Sequence, residues 1–267
     1  MLRSTNEILG YRLNTIDQDV GSCKDLLFDD QWWTIRHLLA NTGVWMIGKK
    51  VLISPAMINK PDWKTRNIFL NVSKDEIEKC PAPIEDEPVS REYERKMSRH
   101  YGIPYYWGDA GLWGPAAYPY AVEPVLTESM NESEEDVPEQ ETENHLRSIK
   151  EVTGYDIKAS DGNIGHVEDF IMDDDTWALR YVIVDTRNWL PGGKKVLLPL
   201  TWAESVSWTR AEFEVNLSKS EIENCPEFDP EKPINVEYEA RVYDYYGRPL
   251  DTKIDRAAQQ HIANPFV

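Results

Sequence analysis

The side chains able to carry chemistry are few and scattered. Cysteine occurs at Cys23, Cys80 and Cys225, and histidine at His37, His100, His145, His166 and His261. A zinc site needs about four thiol, imidazole or carboxylate ligands, with two of them typically at C-x2-C spacing. No such pair exists, so the thiols are expected to be packed structural groups. A catalytic histidine needs an orienting carboxylate and a nucleophile, and the sequence groups none. The nearest approach to an acid-base pair is His166 with Glu168, which strand alternation places on one face. Asp173-Asp174-Asp175 and Asp29-Asp30 could offer oxygens to Ca²⁺. Both runs lack the D-x-[DN]-x-[DN]-G pattern and a distal glutamate, so they read as hairpin turns. Asp161-Gly162-Asn163 is turn chemistry for the same reason. Gly192-Gly193-Lys194 falls short of GxxxxGK[ST], the pattern of a phosphate loop. The expectation is a protein with no catalytic, cofactor-binding or metal-binding residues, no cofactor and no enzymatic activity.

The aromatic residues are harder to assign to packing alone. The chain has 10 Trp and 13 Tyr in 267 residues. Residues 103–120 read IPYYWGDAGLWGPAAYPY, too rich in Pro and Gly for long regular elements. An exposed segment of this kind would form an apolar patch, and such patches mark interfaces. Tyr and Trp suit interfaces because they bury large areas and keep a polar tip. Tyr105, Tyr106, Trp107, Trp113, Tyr118 and Tyr120 are therefore the interface candidates. The alternative is a strap packed on the chain's own body.

The whole chain is organised by a repeat. LRSTNEILGY (Leu2 to Tyr11) matches LRSIKEVTGY (Leu146 to Tyr155) at a shift of 144 residues. NVSKDEIEKCP (Asn71 to Pro81) matches NLSKSEIENCP (Asn216 to Pro226) at a shift of 145, with eight of eleven positions identical. Gly21 meets Gly165, Trp33 meets Trp177, Arg36 meets Arg180, Trp45 meets Trp189 and Trp63 meets Trp208. The paired tryptophans are expected to pack inside each copy. His37 aligns with Tyr181, so the second copy does without that histidine. Solenoid repeats run ~20–50 residues, and a period this long means two domains. The expected division is repeat 1 at 1–102, an aromatic Pro/Gly-rich tail at 103–122, an acidic linker at 123–144, repeat 2 at 145–247 and a C-terminal tail at 248–267.

Charge narrows the partners. The net charge is −18. Residues 123–143 hold nine acids and no Lys or Arg, as expected of an extended solvated tether. Nucleic-acid binders draw affinity from clustered Lys and Arg, so nucleic acid is excluded as a partner, and an anionic membrane surface is disfavoured likewise. No stretch reaches the ~18 apolar residues of a membrane span and the N-terminus carries no secretory signal. The expected location is the cytoplasm, and the expected partner is a protein or further copies of the chain.

Within each copy, short β-rich segments alternate with turns. In the second these are Gly154–Lys158, Gly165–Met172, Trp177–Thr186, Lys195–Pro199, Ser205–Trp208 and Glu212–Leu217, a pattern of antiparallel sandwiches and small barrels. Ser73-Lys74-Asp75-Glu76 and Ser218-Lys219-Ser220-Glu221 match the capping box that opens a helix. Each helix should stop before Cys-Pro. Further helices are expected over Arg91–Tyr101 and Val236–Tyr246, each ending at Gly.

These features resemble the PRC-barrel family, named for the cytoplasmic domain of the photosynthetic reaction centre H chain. The resemblance is carried by Gly154-Tyr155, by the turn Ser160-Asp161-Gly162-Asn163-Ile164-Gly165, by the strand pair GHVEDFIMDDDTWALRYVIVDT, and by Lys195-Val196-Leu197-Leu198-Pro199-Leu200. The first copy departs from it, with Asp17-Gln18-Asp19-Val20-Gly21 at the turn, Thr34–Thr42 as third strand and Ser54 in place of Pro199. The resemblance implies an all-β fold of two small antiparallel PRC-type β-barrels, each followed by short helices. It implies a non-enzymatic role in binding and assembly, since the family shares no catalytic residues. Two barrels on a tether could then grip one partner bivalently. Alternative roles implied by family branches are an accessory protein of photosynthetic or respiratory electron transport and a ribosome-maturation-type adaptor.

Overall fold

The computed structural model describes residues 1–43, 50–81, 89–107, 111–124, 145–189 and 192–247. Trp45, most of the acidic linker and the 248–267 tail lie outside the described residues. Each half contributes the same series of strands. In the first these are β1 (Leu2–Ser4), β2 (Arg12–Asn14), β3 (Asp19–Asp29), β4 (Thr34–Asn41), β5 (Val51–Ile53), β6 (Ile58–Asp62) and β7 (Asn67–Leu70). The second half supplies β8 (Leu146–Ser148), β9 (Asp156–Ala159), β10 (Gly162–Asp173), β11 (Leu179–Asp185), β12 (Lys195–Pro199), β13 (Ala203–Ser207) and β14 (Glu212–Val215). Six α-helices occur among the described residues: α1 (Thr5–Ile8), α2 (Lys74–Lys79), α3 (Arg91–Tyr101), α4 (Ile149–Val152), α5 (Lys219–Asn224) and α6 (Val236–Tyr245). No helix among the described residues is long and apolar enough to cross a membrane.

Local chemistry sets the helix starts. Ser73 and Ser218 each accept from the backbone N–H of the glutamate three residues on, and that glutamate accepts from the serine N–H. Two otherwise unpaired donors are satisfied at each start. Asp17 and Asp161 reinforce them, accepting from the N–H of Lys74 at 3.0 Å and Lys219 at 2.8 Å. Helix α3 ends at Gly102 in the left-handed region (φ 64°), where glycine carries no Cβ penalty.

The sheets differ from the expected closed antiparallel barrels. Their orders are β5-β4-β3-β2-β7-β6 and β12-β11-β10-β9-β14-β13, open paths whose end strands do not pair with each other among the described residues. Each sheet is mixed, because β2 pairs with β7, and β9 with β14, in parallel. The cause is the link between β5 and β6. Here the 3-10 turn Pro55–Met57 replaces a hairpin, and Leu200–Trp202 does the same in the second half. The chain continues in the same sense instead of reversing, so the last hairpin returns parallel to the first strand. Ser54 has a role of its own in this link, its hydroxyl accepting from the Ala56 N–H at 3.2 Å.

Gly21 and Gly165 recur for a steric reason. A Cβ on Gly21 (φ 121°) would stand 2.0 Å from the carbonyl oxygen of Asn41, and one on Gly165 would stand 2.3 Å from that of Asp185. Asn41 and Asp185 are themselves repeat equivalents. Gly165→Ala is expected to push β11 away from β10 and cost ~2 kcal/mol, read as a lowered midpoint in urea unfolding. An unchanged midpoint would show that the sheet absorbs the extra carbon.

The N-terminal strands are exchanged. β1 pairs with β10 of the other half in the register Leu2↔Asp173, Arg3↔Met172 and Ser4↔Ile171. β8 pairs with β3 as Leu146↔Asp29, Arg147↔Phe28 and Ser148↔Leu27. The two registers are identical after the 144-residue shift. Side chains repeat the symmetry. Asp169 accepts from the Ser4 hydroxyl, from Thr5 Oγ1 at 2.6 Å and from the Asn6 N–H at 3.2 Å. Asp25 accepts from Ser148 Oγ at 2.5 Å and from the Lys150 N–H at 3.3 Å. Arg3 donates to Asp174 at 2.7 Å and Arg147 to Asp30 at 2.8 Å. The two aspartate runs therefore do more than turn a hairpin, since each holds the exchanged strand of the other copy. Arg3 and Arg147 also lie over Trp63 and Trp208, at 4.2 and 4.6 Å.

Between the exchanged strands the two halves share one core. Trp33 and Trp177 are both left-handed (φ 48° and 61°) and both buried. Such backbone costs about 1–3 kcal/mol per residue and persists only where the surroundings impose it. Here the Trp33 carbonyl accepts from the Leu179 N–H at 2.6 Å and the Trp177 carbonyl from the Ile35 N–H at 2.9 Å. The Trp33 ring packs on Phe213 at 5.5 Å, and Phe28 packs on Phe170 at 5.9 Å. Trp189 departs from the expected packing and is 41% exposed. Cys23 and Cys225 are buried and Cys80 partly so, all three free. Burial pushes the Cys23 thiol up to about 12.

Candidate interaction site

Helix α3 faces the first sheet with two stripes, as its 3.6-residue period dictates. Tyr93 and Met97 form the apolar stripe, and Arg91, Glu94 and Ser98 the polar one, all five buried. Glu94 lies at the centre of a buried network. His37 on β4 meets its Oε1 at 2.9 Å, and the Tyr106 hydroxyl donates to the same oxygen at 2.9 Å. Arg91 donates to Glu94 Oε2 at 3.1 Å and to Tyr106 Oη at 2.7 Å. Burial first, then the negative charge of Glu94, pushes the Tyr106 hydroxyl well above the tyrosine range, so it remains a donor.

Arg36, fully buried, is held in an aromatic box. Its guanidinium carbon lies 3.9 Å from the Tyr106 ring centroid and 5.1 Å from that of Trp113. It donates to the Leu112 carbonyl, and Asp29 lies 3.8 Å from its Nε. Cation-π contacts of this kind gain strength when desolvated. Beside Arg36, His37, Ser54 and Glu94 is a cavity of about 20 Å³, room for about one water. Arg36 Nε and Nη2 and His37 Nδ1 are buried without a hydrogen-bond partner among the described residues.

The six aromatic candidates thus divide. Tyr106 and Trp113 are buried inside the chain, and Trp113 donates from Nε1 to the Thr176 carbonyl of the second half at 2.9 Å. Tyr105 and Trp107 are half-buried and stacked at 4.9 Å, with Arg99 donating to Tyr105 at 3.1 Å and Arg91 lying 4.2 Å from the Trp107 centroid. Tyr118 and Tyr120 stack at 5.3 Å at the end of the strap. Tyr118 is half-buried and Tyr120 is 63% exposed. Tyr120 borders a groove of about 290 Å³ lined also by Met57, Ile58, Val72, Ile103 and Val122. Most of the strap is therefore a clamp across both halves, and its end reaches solvent.

Sequence reading left the Glu94 network unseen because its parts are distant along the chain. A signal lay in the repeat. His37 aligns with Tyr181 and Glu94 with Glu239, and in the second half the Tyr181 hydroxyl donates to Glu239. The same helix-to-strand bond is made by imidazole in one copy and phenol in the other. No hydrogen bond or ion pair joins His166 to Glu168 among the described residues, and Glu168 is held by Lys195 at 2.5 Å. Among the described residues no three His, Cys, Asp or Glu side chains could hold a metal ion. Tyr106→Phe is expected to cost ~1–3 kcal/mol by leaving Glu94 and Arg91 short of a buried partner. Increased protease sensitivity of the 103–122 segment would report it, and unchanged sensitivity would count against the clamp.

Curated proteins offer no significant match to the chain. The PRC-barrel domain family does match, over residues 145–222, which run from the exchanged strand β8 to the middle of α5. The second half therefore carries a PRC-barrel domain.

Proposed function

We propose that the chain is a non-enzymatic binding and assembly module of two PRC-type units, the first half being a second copy of the domain matched in the other. The carrying observation is the reciprocal strand exchange. It makes the pair one body with a shared core, which suits presentation of a fixed surface rather than independent gripping by two tethered barrels. Supporting this reading, the buried His37, Arg91, Glu94 and Tyr106 side chains of the first unit bond to one another, beside space for about one water. The binding face is assigned to the strap end, where Tyr120, stacked on Tyr118, borders a groove with apolar walls, and the partner is a protein. Exposed aromatic side chains beside an apolar groove are the usual anchors of protein interfaces.

The test compares the purified protein with a Tyr120→Ser variant as baits in native lysate, read by quantitative mass spectrometry with cross-linking. Tyr120 is mostly exposed, so the variant should keep its unfolding midpoint. A stoichiometric partner cross-linked near the strap end and lost with the variant is expected. Identical captured sets from both baits would remove the strap end as the binding face.

A further inference from the structure

We propose that the second unit has a separate binding site for a small organic oxyanion, a carboxylate or phosphate ester with an apolar body, in the cleft between the start of β12 and helix α6. The proposal is independent of the strap-end reading and concerns a different face.

The cleft holds about 640 Å³, within the range of small-molecule sites. Its charge runs against that of the chain. Residues 144–267 carry 14 Lys and Arg against 22 Asp and Glu. Five of those cations line this one cleft, Arg187, Lys194, Lys195, Lys232 and Arg241, with two acids, Glu227 and Asp229. Three of the cations are already neutralised: Arg187 by Asp185 at 2.5 Å, Lys195 by Glu168 at 2.5 Å and Lys232 by Asp229 at 2.8 Å.

Lys194 and Arg241 have no carboxylate partner among the described residues. Lys194 is half-buried and its ammonium donates to the Cys225 carbonyl. Arg241 lies 5.4 Å from the Tyr238 ring centroid. Tyr238 also lines the cleft and is 8% exposed. Lys194 and Arg241 together offer an oxyanion two positive charges, while Phe228, Pro233 and Ile234 supply apolar wall for the body.

The first unit shows that this is no general consequence of the repeat. Lys96 stands at the position of Arg241, and it is tied to Glu92 at 2.5 Å. Glu237, the equivalent of Glu92, makes no such bridge to Arg241, whose guanidinium stays over the tyrosine.

The test uses the full chain and three probes, phenyl phosphate, benzoate and pyrophosphate, titrated at constant ionic strength and followed by amide NMR shifts. Saturable shifts confined to residues around Lys194, Phe228, Tyr238 and Arg241 are expected, with apparent Kd near or below about 1 mM. Phenyl phosphate exceeding pyrophosphate would support the apolar wall, and its ranking against benzoate would assign phosphate or carboxylate as the group. Arg241→Met should weaken binding about tenfold or more, and Lys194→Met should do so too. Because Lys194 also caps Cys225, the Arg241 variant decides if the Lys194 one does not fold. Arg210→Met, which removes a cation outside the cleft, should leave binding unchanged. Absence of saturable shifts, or equal weakening by Arg210→Met and Arg241→Met, would overturn the site.

Discussion

Trp33→Ala is expected to destabilise the whole molecule by ~3–5 kcal/mol, the usual cost of truncating a buried large aromatic. Trp33 belongs to the first unit, yet its ring packs on Phe213 of the second as well as stacking on Phe28 at 5.4 Å. Its backbone accepts from Leu179 across the same boundary. Alanine would retain the strained left-handed backbone and lose the packing that imposes it. Urea unfolding followed by tryptophan fluorescence and by circular dichroism should show one transition in the native protein, shifted as a whole in the variant. Trp177→Ala should act alike, since Trp177 occupies the equivalent position. Two separate transitions, with only the first unit affected by Trp33→Ala, would mean that the halves fold independently.

Cutting the tether should leave the molecule in one piece. A specific protease site placed between residues 128 and 140 would, after cleavage, yield two fragments that elute together as a particle of the parent's size. The expectation follows from the exchange. Each fragment supplies a strand to the other's sheet, a serine to its buried aspartate and an arginine to its turn. Edge strands left without their partner would expose unpaired backbone groups. Burial raises the carboxyl of Asp169 above the usual aspartate range, while the Ser4 and Thr5 donors oppose that shift, so losing those donors would strand a desolvated acid. Fragments that separate at micromolar concentration would show that the covalent link, and not the exchange, holds the units together. Removing one clasp alone should be milder. An Arg147→Ala variant keeps the Ser148–Asp25 bonds and should remain intact after cleavage, with faster fragment exchange.

How much of this was legible beforehand can be judged element by element. Both capping boxes, helix Arg91–Tyr101 and strand Lys195–Pro199 stand where local pattern placed them, because caps, periodicity and flanking proline act within a few residues. Gly21 and Gly165 were visible as paired anchors, though the carbonyl that excludes a side chain there belongs to the neighbouring strand. The closed antiparallel barrel was a misreading, as no residue pattern announces that a 3-10 link will fail to reverse the chain. The strap was identified by composition, but composition cannot tell an exposed aromatic from one stacked on a buried arginine.

The amino-acid sequence alone established the duplication, the acidic stretch between the copies and the β-rich character of each. These depend on residue identity and short-range preference, and both copies state them twice. Tertiary structure alone decided that Leu2–Ser4 and Leu146–Ser148 change places, that Asp25 and Asp169 receive the other copy's donors, and that His37 and Tyr181 serve one purpose. Those outcomes depend on which surfaces meet after collapse, where partners more than 100 residues apart compete for the same edge, and nothing within a local window records the winner.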